Sequence, residues 1–208
     1  MNKNICIAVQ SKGRLAEESL KFLASLGLCF KLDGRSYLVT CKNAPIDLVF
    51  LRDDDIPEYV AKGVVDFGIV GENVLLEKGF KLRVVQKLGF SICSLVIAIP
   101  ENSKIQSILD LDGERIATSY PNLLKDFLNA KGLNAAIIKL KGSVEIAPAM
   151  NLADAICDLT QSGKTLVENK LKPIATVLES QAVLIQSSFI TMNSQKIITS
   201  LLLNSLSI

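Results

Sequence analysis

Short apolar runs alternate with amphipathic stretches from one end of the chain to the other. Runs such as residues 5–9, 46–51 and 155–159 have the length of buried strands. Residues 14–26 instead repeat their apolar side chains at helical spacing, and Gly27 follows as a stop signal. This alternation predicts an α/β fold with mostly parallel sheets.

The remaining elements continue this alternation. Further strands are predicted at residues 37–40, 65–70, 82–88, 94–99, 115–118 and 136–140, and an extended segment at 176–187. Further helices are predicted between Pro57 and Gly63, from Gly71 to about Glu77, at 121–130, after Ser143, after Thr165 and at 195–203. The aspartates at 53–55 and the serine at 143 are expected to act as helix N-caps.

Two lobes of similar size are predicted from the order of these elements. One lobe combines residues 1–91 with 179–208, and the other spans residues 92–178. Extended crossovers near residues 90 and 178 would join the lobes about a central cleft. Since ligands of such sheets bind at the carboxyl ends of strands, the candidate loops are residues 10–14, 52–55 and 160–165.

The loop after the strand at 155–159 contains residue types that bind phosphate. It consists of Thr160, Gln161, Ser162, Gly163, Lys164 and Thr165. Free N–H groups at a helix start, hydroxyl groups and a lysine together favour a bound anion. Asp154 and Asp158, just upstream, could accept hydrogen bonds from sugar hydroxyls. A phosphate beside hydroxyls indicates a ribose 5-phosphate.

Three kinds of loop share features with residues 160–165. The Walker A pattern of nucleotide-binding proteins would require glycine at position 158, where Asp158 would repel a triphosphate. The stretch better resembles the loop that binds phosphoribosyl pyrophosphate (PRPP) in phosphoribosyltransferases. A plain strand–turn–helix, with a glycine turn and Ser or Thr caps, is the alternative.

Other strand ends carry further candidate residues. Ser11, Lys12 and Arg14 surround the start of the first helix, where two cations oppose the helix dipole and favour a bound anion. Arg52 could be held by neighbouring carboxylates and present its guanidinium to a phosphate. Solvated turns, surface ion pairs, close glycine packing and simple capping are the alternatives. The remaining candidates are Gly71, Ser119, Tyr120 and Glu145.

Composition limits the classes of function. The 208 residues are 49% hydrophobic and 21% charged with a net charge of +2, which indicates a globular protein without nucleic-acid or membrane-surface binding. The apolar runs are too short for a signal peptide or a membrane span. Five scattered cysteines without a C-x-x-C pair predict reduced thiols and a cytoplasmic location. The absence of histidine excludes histidine catalysis and favours electrostatic catalysis with an oxygen-ligated Mg²⁺.

Six segments, taken in order, resemble the ATP phosphoribosyltransferase family, which catalyses the first step of histidine biosynthesis. They are residues 11–15, 52–57, 63–72, 115–122, 142–148 and 152–165. The resemblance implies a two-lobed fold like that of type II periplasmic binding proteins. It also implies a glycosyltransferase that moves the 5-phosphoribosyl group of PRPP to N1 of ATP, with Mg²⁺, and releases pyrophosphate.

The resemblance further implies roles for individual residues. The loop at 160–165 would bind the 5-phosphate, and Asp154 and Asp158 would contact or order the ribose. Arg52, Arg14 and Lys12 would be catalytic, with the arginines meeting the phosphates and the departing pyrophosphate. Mg²⁺ would be held mainly by substrate phosphates. Residues facing ATP or the cleft would be Ser11, Gly71, Ser119, Tyr120 and Glu145, the last also a possible indirect Mg²⁺ partner.

The resemblance extends to partners. The chain is similar to the short form of the family, which depends on a regulatory subunit resembling a histidyl-tRNA synthetase, and a homodimer of catalytic subunits is also implied. A truncated long form would look the same at this end. Two other functions stay open at this point: a non-enzymatic cleft-type ligand-binding domain, and a phosphoribosyltransferase with another acceptor.

Overall fold

A computed structural model of the protein describes residues 4–32 and 36–205. The chain divides into two compact units, one formed by Met1–Ser91 with Gln181–Ile208 and the other by Ile92–Ser180. The predicted outer limits of the first lobe, residues 1 and 208, lie outside the described ranges. No helix in the described ranges is long and apolar enough to cross a membrane.

The first unit is built on a mixed sheet with the strand order β2-β3-β1-β4-β11-β5. Its strands are β1 (Ile5–Gln10), β2 (Leu38–Thr40), β3 (Ile46–Leu51), β4 (Phe67–Gly71), β5 (Arg83–Lys87) and β11 (Ala182–Gln186). Its helices are α1 (Arg14–Ser25), α2 (Ile56–Ala61), α3 (Glu72–Glu77) and α6 (Met192–Ser205). Both faces of the sheet are covered, since alternate residues of β1 pack into two separate apolar clusters.

The second unit has the sheet order β10-β6-β9-β7-β8. Its strands are β6 (Cys93–Pro100), β7 (Arg115–Thr118), β8 (Ala136–Lys139), β9 (Ala155–Thr160) and β10 (Leu171–Ser180). Its helices are α4 (Pro121–Lys131) and α5 (Lys164–Glu168), with 3₁₀ turns at Ile108–Leu111 and Val144–Ile146. This sheet is also packed on both faces, with Leu95, Ile97 and Ile99 on one side and Val96 and Ala98 on the other.

The predicted α/β class is confirmed, whereas the prediction of mostly parallel sheets is wrong. In the described part of the chain, four of the nine strand pairings are parallel and five are antiparallel. All five antiparallel pairings involve β2, β6 or β11. β2 forms a hairpin with β3, β6 carries the chain into the second unit and β11 returns it to the first. These three strands therefore run against their neighbours.

Most helix limits follow from local signals in the sequence. Gly27 ends α1 with a positive φ of 79°, and the following Leu28 N–H donates to Leu23 O at 3.2 Å. Gly132 ends α4 in the same left-handed conformation, with φ 69°. The predicted side-chain caps are wrong, because neither Asp55 at the N-cap of α2 nor Ser143 before the 3₁₀ turn at Val144–Ile146 forms a side-chain cap hydrogen bond.

The limits of β4, β10 and β11 differ from the prediction. β4 begins at Phe67 and not at 65, because the Asp66 carboxylate accepts the Cys6 N–H at 2.8 Å just before the strand starts. The extended segment at 176–187 is two strands, β10 and β11, which separate at Gln181. β10 also begins earlier than predicted, at Leu171, and contains two register shifts.

Candidate active-site loops

Three loops of the second unit begin at the same edge of its sheet. β7 lies parallel to both β8 and β9, and Thr118 is level with Lys139 on one side and Cys157 on the other. The carboxyl ends of parallel strands meet at the same edge. The structure therefore brings together the turn at Ser119 and Tyr120, the segment leading to Glu145 and the loop after Thr160.

The loop after β9 is held by its own hydroxyl groups. The Gly163 N–H donates to Thr160 Oγ1 at 3.1 Å, and the Lys164 N–H is 3.4 Å from Ser162 Oγ. Gly163 has φ 73°, which L side chains rarely adopt. Gln161, Ser162, Lys164 and Thr165 are exposed, and Lys164 Nζ lies 3.8 Å from Glu168 Oε1. The helix that follows has only five residues, so its dipole adds little, and the loop's N–H and hydroxyl groups are its main donors to an anion.

Glu145 is close enough to Asp158 for its charge to act on the Asp158 carboxyl. Burial raises the pKa of the Asp158 carboxyl above its ordinary value, the Leu159 N–H at 2.8 Å opposes this rise, and the Glu145 charge adds to it. Asp158 lies in β9, where it pairs with Val96 of β6. It precedes Thr160, the last residue of the strand, by two residues. The edge thus places a partly buried carboxylate beside hydroxyl and amide donors, as a bound sugar phosphate requires.

Asp154 has a different role from the one predicted. It precedes β9 and so lies about 20 Å along the strand from Thr160, at about 3.3 Å per residue. Its carboxylate accepts from Arg115 Nε at 2.9 Å, Arg115 Nη2 at 2.8 Å and the Arg115 N–H at 3.0 Å. Arg115 Nη1 also donates to Asn151 O at 3.0 Å. Asp154 joins the starts of β7 and β9, and we do not retain it as a ribose contact.

Acid should weaken this link. The Arg115 guanidinium lowers the pKa of Asp154 from its ordinary 3.8 to about 2. A group with a lowered pKa stabilises the folded state above its unfolded value and loses that contribution as the pH falls through the folded value. We therefore expect the free energy of unfolding to fall between pH 4 and pH 2, and Asp154→Asn to flatten this slope and to cost about 1 kcal/mol at pH 7.

Urea unfolding at pH 7, 4 and 2.5 measures this difference. Asp126→Asn, at an exposed position on α4 in the same unit, is the matched control and should keep the wild-type pH slope. An Asp154→Asn slope equal to that of the wild type would contradict the structural role given to this carboxylate.

The first unit has a comparable edge. β1 lies parallel to β3 with Gln10 level with Leu51, and the Ser11 N–H donates to Leu51 O at 2.8 Å. Ser11 and Arg52 therefore leave the sheet side by side. β4 lies on the other side of β1 and ends at Gly71. The structure thus gathers the predicted residues of the first unit at one sheet edge.

The cations of this edge are exposed and weakly paired. Arg14 Nε lies 3.8 Å from Glu18 Oε2, with 48% of the arginine side chain exposed. Lys12 and Arg52 are exposed and form no ion pair with any residue in the described ranges. The expectation that carboxylates at 53–55 hold Arg52 is therefore wrong. Those residues form a 3₁₀ turn in which the Arg52 carbonyl accepts the Asp55 N–H at 3.0 Å.

Gly71 is explained by close packing. Its φ of −67° suits any residue, but an added Cβ would collide with Oδ1 of the buried Asn73 side chain. Gly68, earlier in β4, is similar, because an added Cβ would lie 2.5 Å from Ile56 Cγ2. Both glycines let neighbouring elements approach β4 closely, and neither requires a ligand to explain it.

Comparison with known proteins gives the family. The sequence model described as HisG, ATP phosphoribosyltransferase, matches residues 52–206. The chain belongs to the ATP phosphoribosyltransferase family. The match includes Arg52 and all three loops of the second unit, whereas the segment from Ser11 to Arg14 lies outside the matched residues.

Relatives named ATP phosphoribosyltransferase are similar over most of this chain. The protein of Cytophaga hutchinsonii is 47% identical over 184 residues, which are 88% of this chain and 64% of that protein. The protein of Phocaeicola vulgatus is 46% identical over 196 residues, 94% of this chain and 69% of its own length. The chain thus spans about two thirds of the length of these curated relatives.

Solved structures extend the likeness to the fold. A chain of the ATP phosphoribosyl transferase (HisG:HisZ) complex from Thermotoga maritima superposes with a TM-score of 0.82 at 32% identity, covering 98% of this chain and 97% of that one. The periplasmic aliphatic sulphonate-binding protein SsuA of Escherichia coli has a TM-score of 0.66 at 15% identity, covering 99% and 72%. The second likeness concerns the fold alone, and it agrees with the predicted resemblance to periplasmic binding proteins.

Proposed function

We propose that this chain transfers the 5-phosphoribosyl group of PRPP to N1 of ATP and releases pyrophosphate, as the first step of histidine biosynthesis. The observation that carries the proposal is membership of the ATP phosphoribosyltransferase family over residues that include the loop at 160–165. In this reaction the C1–O bond of PRPP breaks and a bond from N1 of ATP to C1 forms. ATP N1 has a lone pair and needs no deprotonation, so a chain without histidine can catalyse the step.

The loop after β9 is the proposed site of the PRPP 5-phosphate. Its hydroxyl groups, its N–H groups and Lys164 are donors that suit a phosphate. The Gly163 and Lys164 N–H groups now face Thr160 and Ser162 oxygens, and a phosphate would compete for those donors. Asp158, next to this loop, would accept hydrogen bonds from the ribose hydroxyls.

The cationic edge of the first unit suits the charge that develops in the reaction. Departure of pyrophosphate builds negative charge on the leaving group and positive charge on the sugar. Arg52, Arg14 and Lys12 are exposed cations whose interaction with that negative charge strengthens as the bond breaks. Ser11 would contact ATP or pyrophosphate, and Ser119 and Tyr120 are proposed ATP contacts on the second unit.

Mg²⁺ is the proposed cofactor, held mainly by substrate phosphates. The available protein ligands are carboxylates, which suit this ion, and Glu145 is the partly exposed one near Asp158. Within residues 4–32 and 36–205 no group of three or more His, Cys, Asp or Glu side chains is arranged to hold a metal. We propose that the ion is delivered with the pyrophosphate of PRPP, where it would neutralise the leaving group.

A regulatory partner is the second part of the proposal. The Thermotoga relative, matched over 97% of its length, is described as part of a HisG:HisZ complex. We propose that this chain acts as a homodimer of catalytic subunits and joins a regulatory subunit similar to a histidyl-tRNA synthetase, in the manner of the short form. A cytoplasmic location remains the prediction made from the cysteine pattern of the sequence.

A direct assay tests the proposed reaction. Purified chain, with and without a HisZ-type subunit, is incubated with ATP, PRPP and Mg²⁺, and phosphoribosyl-ATP is followed by its absorbance and mass. The expected result is product that depends on all three components. A phosphoribosyl adduct with another base but not with ATP would show that the acceptor is not ATP. The absence of any product in the presence of an active HisZ-type subunit would refute the proposal.

A further inference from the structure

The hydroxyl of Thr118 donates one hydrogen bond and accepts another at the point where β7 and β9 separate. Thr118 is the last residue of β7 and its side chain is fully buried. Its Oγ1 donates to Cys157 O at 2.6 Å and accepts from the Tyr120 N–H at 2.9 Å. One buried group therefore contacts both β9 and the turn that follows β7.

The main-chain pairing between β7 and β9 ends at Thr118, so side-chain hydrogen bonds there can hold the two segments together. The last residues of β7 and β9 that pair are Thr118 and Cys157. Beyond that pair, β9 continues beside β6 to Thr160, whereas the other chain turns towards α4. The hydroxyl of Thr118 is a further link between the two segments just as they become candidate active-site loops.

Both ends of this link lead directly to candidate site residues. The Cys157 carbonyl belongs to the peptide bond that continues into Asp158. The Tyr120 N–H belongs to a residue with φ −122° and ψ 61°, outside the regular helix, at the N-cap of α4. Since Pro121 at the helix start has no N–H, the Tyr120 N–H is the nearest main-chain donor of that turn.

We propose that Thr118 is a positioning residue that fixes Asp158 and the Ser119–Tyr120 turn relative to each other. Thr118 lies in the segment 115–122 but is not among the predicted site residues, because a threonine at a strand end does not reveal whether its hydroxyl faces a ligand or the interior. Full burial means that it touches no substrate and acts through its two partners. The inference rests on the proposed phosphoribosyl transfer for its catalytic consequence, whereas the positioning itself is independent of activity.

Replacing the hydroxyl tests the proposal. Thr118→Val keeps the shape of the side chain and removes both hydrogen bonds, while Thr118→Ser keeps the hydroxyl. We expect Thr118→Val to lower kcat roughly 10- to 100-fold with a smaller change in KM, because misplaced site residues affect the transition state most. Thr118→Ser should recover most of the loss. Thr40→Val, on the edge strand β2 of the first unit, removes a strand hydroxyl elsewhere and should leave kcat unchanged.

Amide hydrogen exchange, followed by NMR, measures the positioning without any assay. In Thr118→Val the Tyr120 amide and the amides at 158–160 should exchange roughly five- to tenfold faster than in the wild type. If Thr118→Val does not fold, Thr118→Ala takes its place in the experiment, because it removes the same hydroxyl without adding a buried methyl group.

Two outcomes would overturn the proposal. Unchanged exchange at these amides would do so whatever the activity, and so would faster exchange with an unchanged kcat in an active wild type. An inactive wild type would instead refute the proposed function, and the exchange rates would still decide whether Thr118 fixes the two segments.

Discussion

Arg52→Ala should lower kcat about 10²- to 10³-fold while KM for PRPP changes less than about fivefold. Arg52 is exposed at the carboxyl edge of the first sheet and forms no ion pair within the described part of the chain. Its removal therefore leaves no carboxylate without a partner, and the unfolding free energy should stay within about 0.5 kcal/mol of the wild type. Steady-state kinetics with varied PRPP, together with thermal unfolding, separates the two effects.

A second arginine provides the control. Arg83 is also exposed, but it opens β5 and so lies at the amino end of that strand. Arg83→Ala should leave kcat and KM unchanged. This comparison distinguishes a specific role of Arg52 from the general effect of losing one positive charge. Equal losses of kcat and PRPP affinity in Arg52→Ala would mean that this residue only helps to bind the ground state.

Gly163→Ala should weaken PRPP binding at least about tenfold. Gly163 has φ 73°, and an added Cβ would meet no atom within 4 Å, so the penalty comes from the backbone conformation and not from a clash. An L residue in this conformation costs about 1–2 kcal/mol, which the loop can relieve only by turning. Turning would displace the Gly163 N–H from Thr160 Oγ1 and disturb the proposed phosphate site. Calorimetric titration with PRPP measures the affinity.

Gly132→Ala is the matched control for this loop. Gly132 has φ 69°, equally open surroundings and a place in the same unit, but it ends α4. Its substitution carries the same conformational penalty, and PRPP affinity should not change. If both variants lose stability and both keep their PRPP affinity, the loop at 160–165 is an ordinary turn and the plain strand–turn–helix alternative is correct.

The sequence predicted elements well where the signal was local. Gly27 and Gly132 end helices at the expected places because a left-handed residue stops a helix whatever surrounds it. The strands at Ile46–Leu51 and Arg115–Thr118 have the predicted limits. Strand direction depends on how the chain connects one strand to the next, by a hairpin or by crossing between units, and no local pattern of apolar residues contains that information. The sequence therefore predicted these segments but not the reversed direction of β2, β6 and β11.

The same distinction applies to the candidate site. Loops at the carboxyl ends of β1, β3 and β9 could be predicted, because strand ends are visible as the ends of apolar runs. Asp154 could not be interpreted correctly, because its partner Arg115 lies 39 residues away in the sequence. The backbone hydrogen bonds within the turn after Arg52 were equally invisible, so the neighbouring aspartates were wrongly expected to hold its guanidinium.

The return of the chain through β11 also constrains how the protein can be made. The second unit is continuous in sequence, from Ile92 to Ser180, and all of its strands are complete when residue 180 has been synthesised. The first unit lacks β11, which fits between β4 and β5 with all five of its residues buried. Until residues 182–186 leave the ribosome, one edge of β4 and one of β5 stay unpaired. The later-synthesised unit is thus free to fold first, and the amino-terminal unit must wait until β11 has been synthesised.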